Sequence, residues 1–494
     1  MVKLFFQISF YTNLFLGISN GLTAQRVLEV GPGKTFSNPQ LAILQAKPGD
    51  TVLMYPAVYS GDYYIENLKG TSIARITVKG TDVDKVIIEG SQAFQFAEIE
   101  FVNIQDFSIR GQSVNGINID DGGTYITPAK HVLVGHIKFL GLNATGNNDM
   151  LKLSGLDSFE VRDCEFNNGS EGGSGIDMVG CHAGWIHNLS FRNQGSNSIQ
   201  AKGGCKDLHI ERNSFINGGS RTLNLGGSTG QLYFRPLGVN YEAKDILVNS
   251  NFFEGSEAPI GFVGCRNVQV SNNTFYNPLK WIFRILQESS DTSFYLSCAN
   301  NTFSNNIIFA KSINPTINIG PYTSEGTFKI NNNLWFSSLT TNWRGPILPV
   351  VEKNGIYGLD PLLEDVANGN IKLKSNSPAI ANGLKYNNYT LDFYNKFYKK
   401  IPVIGAAEHD LNTNNNDIKT NGINIFPNPC IDYFNISGIE EKSHVEIYNM
   451  IGEMLISLEY GGNETIDVSK LIPSSYIIKI KSNNTIHSLI LIKK

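Results

Sequence analysis

The chain has 494 residues, enough for one large domain and a small one, or for three of average size. Hydrophobic residues make up 41% and charged residues only 17%, while 48 Gly and 55 Asn together exceed a fifth of the chain, a turn-rich β composition that excludes a helical bundle. A formal net charge of −4 without a basic run argues against a nucleic-acid partner.

Residues 1–24 have the pattern of an export signal. Lys3 is the positive start, Leu4 to Leu16 the apolar stretch, and Leu22-Thr23-Ala24 the small-residue cleavage site before Gln25. No later segment reaches the ~18 apolar residues of a membrane span. An exported protein without a span is expected, acting as a monomer.

From residue 150 onward a repeat of roughly two dozen residues emerges. Phe recurs at 166, 191, 215, 252, 275 and 303, with gaps of 25, 24, 37, 23 and 28. Asn stands two residues later at 168, 193, 217, 277 and 305, and Glu254 interrupts that series. Short alternating runs precede each Phe, such as Phe159-Glu-Val-Arg-Asp-Cys164 and Leu208-His-Ile-Glu-Arg212. Alternation at period two means strand. The expected fold is all-β, a parallel β-helix in which Phe forms an interior ladder and Asn takes left-handed corners. Cys181, Cys205 and Cys265 each lie ten residues before a repeat Phe, so they share one station and read as buried stacked thiols.

Each coil carries a strand that can be aligned on its following glycine. Residues i and i+2 share a face. One outward column then reads Asn118, Lys152, Asp177, Gln200, Asn224, Gly261, Arg284, and the next reads Asp120, Ser154, Val179, Lys202, Gly226, Val263, Leu286. This strip is richer in charge than an inert solenoid face, with glycines leaving room at 226 and 261. Two insertions border it, one beginning Asp120-Asp-Gly-Gly-Thr-Tyr125 and one running from Ser228 to Glu242. Insertions gather on binding faces. Tyr233 and Tyr241 offer stacking surfaces for sugars, and Arg235 a carboxylate clamp. His182 is a weak acid/base candidate at a turn, whereas His187 and His209 fall outside the strip.

Residues 409–423 are polar and Asn-rich, which reads as a linker. The alternating runs after it, among them Val445-Glu-Ile-Tyr448 and Tyr476-Ile-Ile-Lys-Ile480, imply a small β-sandwich over 424–494. The expected organisation is a signal at 1–24, a β-helix over 25–408, the linker and this domain.

Three resemblances add to that reading. Val30-Gly-Pro-Gly-Lys-Thr-Phe36, Lys47-Pro-Gly-Asp-Thr-Val52 and Tyr59-Ser-Gly61 look like the opening of the pectate-lyase-like superfamily, in which a short helix caps the first coil. Gly358-Leu-Asp-Pro-Leu362, Ser377-Pro-Ala-Ile-Ala-Asn-Gly383 and Ile404-Gly-Ala-Ala-Glu408 are similar to the closing segment of bacterial β-helix proteins. The resemblance covers residues 26–408 and implies a right-handed solenoid. Phe426-Pro-Asn-Pro429, Val445 to Gly452 and the terminal Lys-Lys resemble the type A C-terminal sorting domain of the type IX secretion system in Bacteroidetes. That implies the type IX machinery as a partner and a secreted or cell-surface protein, carried through the periplasm and outer membrane of a Gram-negative bacterium.

Two chemistries fit the strip. β-Elimination from a uronate polysaccharide needs a base for the proton alpha to the carboxylate, and positive charge to stabilise the enolate. Lys202 is the expected base, with Lys152, Arg221 and Arg284 near it; crowded cations lower a Lys pKa. Ser198-Ile-Gln-Ala-Lys202-Gly-Gly204 is distantly similar to the strand of the catalytic Lys in family 6 polysaccharide lyases (alginate lyases and chondroitinase B). That family places an Arg at the station of Gly226, for which Arg221 is the nearby substitute. It also places Ca²⁺-binding acids where this chain has Asn197 and Gln200, so Ca²⁺ is a possible cofactor only by resemblance. Lys152, Gln200, Asn224, Tyr233, Arg235 and Tyr241 are the expected substrate contacts. Glycoside hydrolysis instead needs paired carboxyl groups. Asp177 is on the strip, with Asp120, Asp121, Asp149, Glu171 and Glu257 nearby; Asp120 and Asp177 lie two coils apart, about 10 Å. A non-catalytic glycan-binding protein or adhesin is the third reading.

Overall fold

The computed structural model describes residues 25–494 except 125, 387–390, 410–422, 439–441, 450–452, 463, 473, 483–484 and 494. The expected export signal, most of the linker and Tyr125 lie outside the described residues. The chain forms two compact units, one up to residue 410 and one from 411.

The first unit is a right-handed parallel β-helix whose described strands form parallel sheets of thirteen, ten and twelve. Each coil gives one strand to each sheet in turn. The ten-strand sheet includes Leu151–Ser154, Ser174–Val179, Asn197–Lys202, Arg221–Gly226, Ala258–Val263 and Trp281–Leu286. A five-residue helix, Pro39–Ile43, covers the first coil, its N-terminus capped by the Asn38 side chain, which accepts from the Leu41 N–H at 3.0 Å.

Inside, aromatic rings stack coil on coil. Phe139, Phe166, Phe191, Phe215, Phe253 and Phe275 follow one another at centroid distances of 4.5 to 5.0 Å. The ladder member in the long coil is therefore Phe253, which pairs with Phe215, and not Phe252, which pairs with Ser214 and packs outward under the closing segment. With that correction the corner series is unbroken. Gly255, at φ +73°, takes the left-handed position held by Asn168, Asn193, Asn217 and Asn277 in their coils. Phe303 belongs to the thirteen-strand sheet, opposite Val270, and Ile308 takes the station after Phe275.

A second, fully buried ladder precedes these rings by two residues. Asn213, Asn251, Asn273, Asn306 and Asn333 each pass a side-chain N–H to the next oxygen at 3.0 to 3.1 Å. Glu352 ends the series, accepting from Asn333 at 2.8 Å. All six cysteines are free and buried; Cys181 and Cys205 stack, the Cys181 N–H donating to the Cys205 sulfur at 3.3 Å.

The second unit is antiparallel. A three-strand sheet contains Asn424–Phe426, Tyr433–Ser437 and Ile466–Asp467, and a four-strand sheet contains Ser443–Tyr448, Met454–Tyr460, Ser474–Ser482 and Thr485–Lys493. Their apolar faces share one core, including Phe434, Val445, Ile447, Tyr460 and Ile478.

Candidate functional site

The outward column runs down the ten-strand sheet as a continuous register: Asn118 opposite Lys152, then Asp177, Gln200, Asn224, Gly261 and Arg284. Two adjoining hollows lie along this strip, with Asn147 lining both. A cleft of about 680 Å³ holds Lys152, Asp177, Lys202, Asp120 and Asp121, and a pocket of about 300 Å³ holds Gln200, Asn224, Arg221 and Arg284. The residues expected to work together are thus split, Lys202 and Asp177 in the first hollow, Arg221 and Arg284 in the second.

Four alternating charges run along the cleft, with Lys152, Asp177 and Lys202 lining it and Asp149 beneath. Asp149 and Asp177 are fully buried. Lys152 donates to Asp177 at 2.7 Å and to Asp149 at 3.2 Å. The Lys202 ammonium lies 3.1 Å from the second oxygen of Asp177, off hydrogen-bond alignment, and donates instead to Gln200 at 3.1 Å. Burial pulls the Lys152 pKa down, but the two carboxylates outweigh it and leave the group above its ordinary value. Burial, with the charge of Asp177, pushes Asp149 up to about 6. The expectation that Lys202 sits among crowded cations is corrected here. Its close charged partner is a carboxylate, because a lysine reaches diagonally to the neighbouring column of the preceding coil.

The insertion after Ser228 forms one wall. Tyr233 is mostly exposed there, at the mouth. Arg235 is not a free clamp: its two terminal nitrogens hold Asp157 at 2.8 and 2.6 Å, and one also donates to the Gly180 carbonyl at 3.1 Å. Burial opposes ionised Asp157, yet His182 and Arg235 hold its carboxyl well below the usual range. His182 is occupied by the same Asp157 at 3.1 Å and serves this anchor, not the cleft. Tyr241 does not line either hollow; it lies beside Lys244 on the thirteen-strand side. His187 and His209 pair with Glu160 and Glu211 on that sheet.

Sequence reasoning passed over Glu242. This buried carboxylate accepts from the Gly203 N–H at 3.0 Å, the Thr229 N–H at 2.9 Å and hydroxyl at 2.7 Å, and the Ser289 hydroxyl at 2.6 Å. It ties the wall to the turn directly after Lys202. The only signal for it was its place at the end of an insertion.

In the second pocket Arg221 is paired with Glu288 at 2.7 Å and with Asn224 at 3.1 Å. Arg284 donates through Nε to Asn318 at 3.0 Å and lies 4.4 Å from the Trp281 ring centroid. Gly226 does not leave room: it has φ +111°, and an added Cβ would fall 1.6 Å from the Val263 carbonyl. The backbone therefore forbids the family's Arg at this station. Among the described residues no cluster of three His, Cys, Asp or Glu is placed to hold a metal. Asp120 is occupied by Gln95, Asn118 and the Gly122 N–H.

This fold is that of the pectate lyase Pel9A, with a TM-score of 0.53, 14% identity, and coverage of 79% of this chain and 98% of that one. An alginate lyase from Paenibacillus sp. is also similar (TM-score 0.41, 15% identity, 67% and 98% covered). So is the A-module of a mannuronan C-5 epimerase from Azotobacter vinelandii (TM-score 0.41, 14% identity, 65% and 93% covered). At these identities the likeness is one of fold. No curated protein matches the sequence. Residues 424–494 match the secretion system C-terminal sorting domain. That unit marks a protein carried by the type IX system to the cell surface or outside. No helix among the described residues is long and apolar enough to cross a membrane.

Proposed function

We propose that the protein acts on a uronate-containing polysaccharide outside the cell and cleaves it by β-elimination. The observation that carries this is the unequal holding of two lysines across Asp177. Lys152 is locked between two buried carboxylates and stays cationic, holding Asp177 in place beneath the cleft. Lys202 faces the cleft with the looser contact, since Lys152 already takes the best geometry on Asp177. In the step, the amine form of Lys202 takes the proton alpha to the carboxylate. The C–H electron pair becomes the new C=C bond, the glycosidic C–O bond breaks, and the departing oxygen receives a proton from the Lys202 ammonium. The pectate-lyase fold is compatible with this chemistry but does not assign it.

Hydrolysis through Asp177 has less support, because that carboxylate is buried beneath both lysines. The test is the ultraviolet absorbance of unsaturated uronate as the protein meets a panel of uronate polymers, with and without Ca²⁺. A rise is expected, reduced at least ~100-fold in Lys202→Ala, the scale of a lost general base. New reducing ends without absorbance would replace elimination by hydrolysis, and retention on a uronate column with neither signal would make this a binding protein.

A further inference from the structure

We propose that the second pocket is a distal subsite for one sugar carboxylate, held by Arg284, and that the productive substrate is a chain several sugars long. This rests on the reading above for the identity of the polymer.

Arg284 is a prepared cation. It makes no ion pair with a described residue, unlike Arg221, which Glu288 neutralises. Its orientation is fixed on two sides, by the Asn318 oxygen and the Trp281 face. Its terminal nitrogens have no hydrogen bond among the described residues, and a planar guanidinium offers such nitrogens as a fork matched to a carboxylate. Around it, Gln200, Asn224 and Glu257 supply amide and carboxylate groups of the kind that bind hydroxyls. One unpaired cation beside Glu257, with Glu288 already paired to Arg221, favours a sugar with a single carboxylate and free hydroxyls. A densely sulfated chain would set several anions against a single free cation.

The spacing then fixes the length. Lys202 shares its coil with Gln200, and the register from Gln200 to Asn224, Gly261 and Arg284 is three coil steps. At about 4.8 Å per step the two stations are about 14 Å apart along the groove. A disaccharide seated at Lys202 cannot span that distance; a tetramer or hexamer can.

The experiment measures binding of uronate oligomers of two, four and six sugars to the full secreted chain by calorimetry. Lys202→Ala serves as the non-cleaving background, with and without Arg284→Ala. Affinity is expected to climb with length in the background protein. Arg284→Ala should weaken the hexamer about tenfold and leave the dimer within twofold, the scale of one charge-assisted contact. Trp281→Ala, which frees the guanidinium without removing it, should fall between the two. Equal affinity of background and Arg284→Ala proteins for the hexamer overturns the subsite while leaving elimination intact. Failure of every uronate to bind overturns both. A matching melting temperature in the variants separates lost contact from lost fold.

Discussion

At Asp149, burial and the neighbouring Asp177 oppose the ionised form, while Lys152 and the Ser174 N–H support it, and the pKa settles at about 6. An unfolded Asp titrates near ~3.9. Between those values the folded chain binds the proton more tightly than the unfolded chain does. Stability from this group therefore falls as pH rises from about 4 through about 6, and is level above. Asp149→Asn should remove that slope, so the difference in urea midpoint between wild type and variant is expected to grow across the window and then stay constant. A difference that does not change with pH would contradict the assignment. The charged column itself was legible, because period-two alternation and glycine alignment place Lys152, Asp177 and Gln200 on one face. What escaped was reach across columns: Lys202 meets Asp177 on a diagonal, and Arg235 meets Asp157 from 78 residues away, a separation unrelated to the coil period.

Strands and corners carry the fold, and here the sequence was a good guide with two slips, Phe252 and Phe303, neither of which stands in the ring ladder. Counting Phe alone selected Phe252, since Phe252 and Phe253 are adjacent and only the neighbouring corner tells them apart. Gly255, not an Asn, supplies the left-handed turn two residues after Phe253. The buried Asn ladder was missed for a related reason. Its mark is Asn two residues before a large apolar side chain, and that side chain changes from Phe275 to Ile308 to Trp335 along the solenoid. The oxygen of Asn273 accepts both N–H groups of Asn251, and its amide donates to Val248, Ser271 and Asn306. Asn273→Ala should strand several buried partners and cost about 3 kcal/mol, given ~1–3 kcal/mol for each unsatisfied group. Chemical denaturation checks this, and a loss below ~1 kcal/mol would mean that water fills the gap.

For the whole molecule, address and cleft reside in separate units. Removing residues 424–494 is expected to keep the protein on the cell side of the outer membrane while the remaining chain still binds uronate. Cell fractionation with a binding assay on the retained protein tests both halves, and export of the truncated chain would show another address. The sorting unit was readable because its motifs stand in a fixed order. The cleft was only partly so, because insertions build its wall and their anchors, Glu242 and Arg235, follow no repeat.

The amide stack beginning at Asn213 has a direction. Each side-chain amide donates once back to a carbonyl of the preceding coil and once forward to the next side-chain oxygen, so the last amide, Asn333, arrives with one forward donation still to place. Glu352 takes both N–H groups of Asn333, and with its other oxygen the Trp335 indole N–H and the Tyr357 hydroxyl. A solenoid is a one-dimensional crystal whose terminal layer is a template for another layer, from the same chain or a different one. By exchanging the repeating amide for a carboxylate that donates nothing, Glu352 closes the stack like a terminator, handing no amide donor on to a further layer.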